Sequence, residues 1–242
     1  MATWPKEHLR TLAVGALVVV VAVVWGLKVV QVARSVERDA EYWSHPRGEL
    51  GGLLYVALGD SAAQGVGASA PDRGYVGLLA QRLRDRTGRP VEVVNLSRSG
   101  ARIRDVLDTQ LPALNALGRN PAVLTVGVGG NDMASYDRQV FAAAAERLMA
   151  ALPAGAYVAD VPYFMHGRAE RDAQQAADLL RSSASRHRLR PVALHATLRA
   201  QGWRGMFTQF AADWFHPNDR GHRVWADAFW QEIGRAPRPP LR

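Results

Sequence analysis

The chain has 242 residues, of which 48% are hydrophobic, and its lack of cysteine excludes a disulfide framework, a thiolate metal site and a cysteine nucleophile. The formal net charge of +8 comes almost wholly from arginine. The densest basic run, residues 181–190, lacks the interleaved aromatic side chains of a nucleic-acid platform, so no nucleic-acid partner is expected.

The N-terminal region contains an uncharged segment, residues 11–27, which is rich in Val, Leu and Ala and lies between Arg10 and Lys28. Its length is at the short end of the transmembrane range, and the aliphatic stem of Lys28 allows the span to extend towards residue 33. We predict an uncleaved membrane anchor over residues 1–33, because no A-x-A cleavage site follows the segment. A cleaved signal peptide, which would give a secreted protein, is the second interpretation, and a buried core helix is the third.

The orientation of this anchor is not fixed by its flanking charges, because basic residues stand on both sides of it. We expect the rest of the chain to lie outside the cytoplasm, since a single N-terminal anchor resembles a signal sequence. Residues 34–50 are polar, contain Pro46 and Gly48, and are predicted to form a juxtamembrane linker.

Short apolar segments alternate with helical patterns over residues 51–234, which are predicted to form one domain. Strands of a buried parallel sheet are continuous apolar runs, and the helices between them supply the crossover connections. We therefore predict an α/β fold in which a parallel five-stranded sheet lies between two layers of helices. The predicted strands are 53–59, 91–96, 122–130, 156–162 and 191–196, and the predicted helices are 74–86, 102–114, 136–152, 168–187 and 219–233. Residues 235–242 are predicted to be a disordered tail.

Candidate reactive groups follow four of the predicted strands, at the edge of the sheet where sites form in open α/β folds. Ser61 follows the first strand as a candidate nucleophile, and Gly100 and Asn131 follow the second and third as candidate oxyanion donors. Asp213 and His216 come after the fifth strand, so that one short turn presents a base and the carboxylate that orients it. Each group alone is also typical of an ordinary turn or helix cap, whereas the set supplies every component of serine-based acyl transfer.

The segments Gly59-Asp60-Ser61, Gly100, Gly129-x-Asn131-Asp132 and Asp213-x-x-His216-Pro217 resemble, in this order, the four sequence blocks of the SGNH/GDSL hydrolases. The resemblance spans residues 53–233, with Ala62 where the family has leucine. It implies a flavodoxin-like α/β/α sandwich and an esterase or lipase that cleaves carboxylic esters without a metal or cofactor. It implies Ser61 as the nucleophile, His216 as the base and Asp213 as its partner. The implied oxyanion hole consists of the backbone N–H groups of Ser61 and Gly100 and the side-chain amide of Asn131.

Six large apolar residues shortly before or beside His216 are candidates for an acyl-binding pocket, for a bilayer-facing surface or for core packing. They are Trp203, Met206, Phe207, Phe210, Trp214 and Phe215.

A lipolytic esterase acting on a small-molecule or lipid ester, with membrane contact through the N-terminal helix, is the first hypothesis. An O-acetyl esterase or acyltransferase acting on cell-envelope sugars is the second, and a catalytically silent membrane-anchored binding protein is the third. The oligomeric state is not indicated.

Overall fold

The computed structural model describes residues 6–236, and it describes side-chain surroundings from Val14 onwards. The first five residues of the predicted anchor and residues 237–242 of the predicted tail lie outside the described residues. Arg235, which was predicted to begin the tail, is instead the last residue of the final helix.

The elements alternate along the chain as the sequence predicts. A π-helical turn covers Val106–Gln110, and short 3₁₀ turns cover Pro71–Arg73 and Asn131–Ser135. The strands are β1 (Arg47–Gly48), β2 (Leu53–Gly59), β3 (Val91–Asn95), β4 (Val123–Gly127), β5 (Tyr157–Ala159) and β6 (Arg190–Val192). The helices are α1 (Lys6–Trp43), α2 (Ser61–Gln64), α3 (Tyr75–Thr87), α4 (Ile103–Asp105), α5 (Leu111–Ala116), α6 (Arg138–Ala151), α7 (Gly167–Arg186), α8 (Leu194–Arg199), α9 (Gly202–Thr208) and α10 (Asp219–Arg235).

The sheet has the strand order β1-β3-β2-β4-β5-β6, in which β2 to β6 are parallel and β1 pairs antiparallel with β3. The predicted five-stranded parallel sheet is therefore confirmed, and β1 adds a short edge strand to it. The parallel strands follow the flavodoxin-like order, whose ligand sites lie at the carboxyl edge of the sheet. At that edge Gly59 of β2 pairs with Gly127 of β4, which in turn pairs with Ala159 of β5.

The core consists of two hydrophobic clusters, one on each face of the sheet. Alternate residues of β2 belong to different clusters, because successive side chains of a strand point to opposite faces. Helices α6 and α7 cover the face of Leu54, and helices α3 and α10 cover the face of Tyr55. The three-layer α/β/α architecture is confirmed.

Helix α1 has two parts with different surroundings. Val14 to Leu27 is exposed on all sides except for half-buried Gly26, and α1 is long and apolar enough to cross a membrane, with a mean hydropathy of 2.3 over its most apolar window. An N-terminal signal sequence meets the same criterion. Beyond Lys28, a stripe at helical spacing turns towards the domain and becomes half-buried or buried. Its members are Val29, Val32, Ser35, Val36, Asp39 and Trp43.

Two segments differ from the sequence prediction. Residues 34–43, predicted as part of a linker, continue α1. Arg34, Glu37 and Glu41 occupy the exposed face of this part of the helix, whereas its other face, which includes the polar residues Ser35 and Asp39, packs on the domain. Residues 193–196, predicted as the end of the last strand, belong to the turn into α8 and to α8 itself. A short apolar run is compatible with a strand and with a buried helix, so periodicity alone does not separate the two.

Candidate active site

Ser61 is the first residue of α2 and follows the carboxyl end of β2 after one intervening residue. The turn requires glycine at position 59, where φ is +152° and a Cβ would lie 2.3 Å from the carbonyl oxygen of Gly127. Asp60 caps α2 by accepting a 3.0 Å hydrogen bond from the N–H of Ala62, and burial raises the pKa of this carboxyl to about 6. The turn holds Ser61 at the carboxyl edge of the sheet, with 6% of the residue exposed.

The side chains of Ser61, His216 and Asp213 form a continuous chain of hydrogen bonds. His216 Nε2 lies 3.0 Å from Ser61 Oγ, and His216 Nδ1 lies 2.5 Å from Asp213 Oδ2. A carboxylate at Nδ1 favours the tautomer that carries its proton there, which leaves Nε2 free to accept a proton from the hydroxyl. The fold thus brings together a serine and a histidine that are 155 residues apart in the sequence.

The turn from Asp213 to His216 fixes the carboxylate against the imidazole. Asp213 Oδ1 accepts the backbone N–H groups of Phe215 and His216, both at 3.1 Å. Trp214, which directly follows Asp213, has a φ of +56°. This value lies in the left-handed region, where a bulky residue costs on the order of 1–3 kcal/mol. Partial burial raises the pKa of Asp213, but the hydrogen bonds from the His216 ring and from the two N–H groups outweigh burial, so the pKa lies below its ordinary value.

The two remaining predicted oxyanion donors lie on neighbouring loops and are placed differently. Asn131 lines a cleft beside Ser61, and its Nδ2 donates a 3.0 Å hydrogen bond to the carbonyl of Ala101. That bond uses one amide hydrogen and leaves the second for another acceptor. Gly100 has a φ of +78°, is exposed and does not line the cleft. The structure therefore brings Asn131 to Ser61 and connects it to the Gly100 loop through Ala101.

Two buried glutamines that the sequence analysis did not single out hold the segment that contains Ser61. Gln110 accepts the N–H of Gly59 and donates to the Gly59 carbonyl, both at 2.8 Å. Gln64 accepts the backbone N–H of Ser99 at 2.9 Å and so ties α2 to the loop that follows β3. Gln110 comes four residues after buried Val106 on the same helical stripe. A polar side chain within an apolar helical stripe indicates a buried residue that needs hydrogen-bond partners, and this pattern could have identified Gln110 from the sequence.

The cleft beside Ser61 encloses about 140 Å³ and has a mainly apolar lining. Four of the six large apolar residues singled out from the sequence line it, whereas Trp203 and Phe207 do not. None of the six is buried, so core packing does not account for them. The loop after β5 also contributes Phe164 and Met165. The four residues that line the cleft are Met206, Phe210, Trp214 and Phe215.

His222 in α10 is a buried, hydrogen-bonded residue, and His216 is the histidine that contacts Ser61. Nε2 of His222 lies 3.1 Å from the carbonyl oxygen of Val66, and Nδ1 of His222 accepts the N–H of Tyr75 at 3.3 Å. Burial lowers the pKa of His222 to about 4, so its ring is neutral near pH 7. Among the side chains that the structure describes, residues 14–236, no group of three or more His, Asp or Glu is arranged to hold a metal ion.

Comparisons with known proteins address the family and the fold of the chain. A sequence model of the GDSL-like lipase/acylhydrolase family matches residues 57–224. No curated protein sequence matches the chain. Many solved structures share the fold, including the following three. The lipase/acylhydrolase from Enterococcus faecalis has 18% identity and a TM-score of 0.62, over 78% of this chain and 99% of that one. TesA has 26% identity and a TM-score of 0.59, over 74% of this chain and 97% of that one. The acetylxylan esterase Axe2 from Geobacillus stearothermophilus has 20% identity and a TM-score of 0.57, over 76% of this chain and 95% of that one.

Proposed function

The chain belongs to the GDSL-like lipase/acylhydrolase family, and we propose that it cleaves carboxylic ester bonds through a Ser61–His216–Asp213 triad. The observation that carries the proposal is the 3.0 Å separation of Ser61 Oγ and His216 Nε2, with the 2.5 Å contact to Asp213 behind it. A serine hydroxyl is a weak nucleophile alone and reacts when an adjacent base takes its proton.

In the proposed reaction, Ser61 Oγ attacks the acyl carbonyl carbon while His216 Nε2 takes the hydroxyl proton. Asp213 stabilises the imidazolium that forms and holds the ring in place. The tetrahedral intermediate then expels the alkoxide, which His216 protonates as it leaves. Water attacks the acyl-enzyme with His216 as base, and departure of the carboxylic acid restores Ser61.

Negative charge on the tetrahedral oxygen requires donors that are already oriented towards it. We assign this role to the N–H of Ser61, the second side-chain N–H of Asn131 and the N–H of Gly100. The Asn131 bond to Ala101 supports this assignment, because it fixes the amide plane at the edge of the cleft. The assignment of Gly100 rests on the family resemblance, because Gly100 lies outside the cleft lining.

The lining of the cleft supports a lipolytic esterase ahead of an O-acetyl esterase. An acetyl group needs little apolar surface, whereas Met206, Phe210 and the aromatic pair Trp214 and Phe215 offer enough for a longer acyl chain. An acyltransferase would use the same triad, with an acceptor alcohol in place of water. Product analysis with and without added alcohols distinguishes transfer from hydrolysis.

The test uses the full-length chain in detergent. A fluorophosphonate probe, which phosphonylates activated serines, is applied first, and the adduct is mapped by mass spectrometry. Hydrolysis of p-nitrophenyl esters from acetate to palmitate is then measured for wild type and Ser61→Ala. Ser182→Ala, which alters an exposed serine of α7, is the matched control.

Labelling of Ser61, with hydrolysis lost in Ser61→Ala and retained in Ser182→Ala, is the expected result. Faster turnover of the longer esters identifies a lipolytic enzyme, and turnover of acetate alone identifies an acetyl esterase. A folded protein that is neither labelled at Ser61 nor active on any ester would overturn the proposal in favour of a catalytically silent binding protein.

A further inference from the structure

The apolar part of α1 ends in direct contact with the catalytic turn. Trp25, near the end of this part, is exposed, and its Nε1 donates a 3.1 Å hydrogen bond to the carbonyl of Ala212. Ala212 immediately precedes Asp213, the carboxylate partner of His216. Tryptophan followed by lysine is typical of the boundary between hydrocarbon and headgroups, and here Lys28 comes three residues after Trp25. If α1 spans a membrane, that boundary therefore lies at the level of the catalytic turn.

The connection between this boundary and the domain is a continuous helix. Beyond Lys28, α1 runs on to Trp43 with its buried stripe against the domain. Arg38 donates a 3.2 Å hydrogen bond to the carbonyl of Ala68, and Trp43 donates a 2.8 Å hydrogen bond to the carbonyl of Gln64. Because no loop intervenes between the apolar part and the docked part, the distance from the membrane to the cleft is set by the structure.

Four exposed aromatic side chains, which we call the aromatic rim, stand at this level beside the cleft. Phe207 contacts both Trp203 and Trp214, with ring centroids 6.4 and 6.2 Å apart. Exposed aromatic groups of this size mark protein or membrane contacts, because water-facing surfaces rarely carry them together. The rim consists of Trp203, Phe207, Trp214 and Phe215, which are 71%, 61%, 51% and 52% exposed.

Basic side chains accompany the rim. Lys28 and Arg220 line the same groove as Phe207, and the Arg204 guanidinium lies 5.9 Å from the centre of the Trp203 ring. Arg204 and Arg220 are exposed. Lysine and arginine beside an aromatic surface suit the anionic headgroups of a bilayer. The basic side chains and the aromatic rim therefore both favour a bilayer with anionic headgroups as the binding partner of this surface.

We propose that the aromatic rim rests in the surface of the bilayer that α1 crosses, and that the cleft accepts esters resident in that bilayer. The acyl chain would pass from the membrane into the apolar cleft without crossing water. This substrate class rests on the proposed ester hydrolysis, whereas the docking of the rim rests on α1 and the rim alone.

The first test measures the depth of the rim and does not depend on activity. Because the chain has no cysteine, Phe207→Cys offers a unique site for a spin label, and Val140→Cys offers a control. Val140 is 70% exposed on α6, which covers the sheet face opposite to that of Trp43. Both labelled full-length chains are placed in nanodiscs that contain anionic lipid, and collisions with oxygen and with a water-soluble nickel complex are measured.

The expected result is a label at position 207 that oxygen reaches and nickel does not, and a label at position 140 that nickel reaches. Nickel access at both positions overturns the proposal. Shielding of position 207 from both reagents also overturns it, because a protein partner would then cover the rim.

The second test compares Trp203→Asp/Phe207→Asp with Val140→Asp on two substrates, p-nitrophenyl acetate in water and 4-methylumbelliferyl oleate dissolved in the nanodisc. The rim variant should lose about tenfold or more on the oleate ester, because two aromatic groups no longer bury apolar surface, and should keep its rate on acetate. Equal oleate rates in wild type and the rim variant overturn the proposed access route. A wild type that hydrolyses neither ester overturns the proposed function, and the label depths alone then decide the docking.

Discussion

The indole Nε1 of Trp43 donates a 2.8 Å hydrogen bond to the carbonyl of Gln64, which joins the end of α1 to the short helix that begins at Ser61. Trp43 is 6% exposed and belongs to the hydrophobic cluster that contains Leu79 and Phe229. The end of α1 is therefore part of the core of the α/β domain.

Removal of the Trp43 side chain should destabilise the domain. We expect Trp43→Ala to lower the free energy of unfolding by about 3–5 kcal/mol, because loss of the buried indole leaves a cavity and removes the hydrogen bond to the Gln64 carbonyl. Trp203→Ala, at a residue that is 71% exposed, should change it by less than about 0.5 kcal/mol. Urea denaturation of the full-length chain in detergent measures both values.

Truncation provides an independent check of the same contact. A chain that begins at residue 29 keeps the docked part of α1, so its free energy of unfolding should be close to that of the full-length protein. A chain that begins at residue 45 loses Trp43 together with the other members of the buried stripe, so it should be destabilised by at least as much as Trp43→Ala. Equal stability of the two truncated chains would contradict a structural role for this part of α1.

Replacement of Asp213 by asparagine tests the orientation of the base. An amide N–H₂ facing Nδ1 favours the opposite tautomer, in which Nε2 carries the proton and is unable to accept one from Ser61. We expect kcat for p-nitrophenyl esters to fall by about 10³–10⁴, with little change in KM. Asp108→Asn, at an exposed position, is the control. A fall of less than about tenfold would exclude Asp213 as the partner of His216.

Asn131 should contribute to the transition state more than to substrate binding. We expect Asn131→Ala to lower kcat by about 10²–10³, the effect of losing one oxyanion donor. Asn131→Asp keeps the size of the side chain and removes both donors, so it should be at least as impaired. The bond to Ala101 allows a purely structural explanation, in which the loop loosens and the melting temperature drops. Thermal unfolding of both variants separates the two, because a catalytic role predicts slow turnover at unchanged melting temperature.

Much of the fold, and the approach of Ser61, Asp213 and His216 to one another, could be predicted because the determining signals are local. The strands buried on both faces are continuous apolar runs, such as Leu53–Gly59, and this pattern is visible without knowledge of their partners. Ser61 lies two residues after Gly59, and Asp213 lies one turn before His216. Parallel strands place their carboxyl ends at one edge, so these local positions converge once the topology is given. The family assignment from these blocks is confirmed.

Features that depend on distant contacts could not be predicted in this way. The bond from Trp25 to Ala212 joins residues 187 apart, and no periodicity in either segment encodes it. Residues 34–43 look like a linker because most of their side chains are polar, and two of the buried members of the stripe, Ser35 and Asp39, are polar as well. Residues 194–208 form α8 and α9, although their apolar content also fits strand or loop. In each case the missing information is which surface covers the segment.

His222 should make the stability of the protein depend on pH in a defined direction. Its pKa in the folded protein is about 4, whereas an exposed histidine titrates near 6.5. As the pH falls below about 6.5, the unfolded chain gains a proton that the folded protein refuses, so this residue lowers stability until the pH reaches about 4. Asp60, with its pKa raised to about 6, has the opposite sign, because the folded protein takes up its proton first and gains stability as the pH falls from 6 towards 3.8.

The two effects oppose one another in the wild type, so a variant of His222 is needed to separate them. His222→Gln retains an acceptor for the N–H of Tyr75 and a donor for the carbonyl of Val66, but it does not titrate. We expect the free energy of unfolding of this variant to gain about 2 kcal/mol relative to wild type between pH 7 and pH 5, at about 1.4 kcal/mol per pH unit below 6.5. Urea denaturation at pH 7, 6 and 5 measures this change, with His45→Gln as the exposed control. Parallel stability curves for wild type and His222→Gln would show that His222 is protonated in the folded protein as readily as in the unfolded chain.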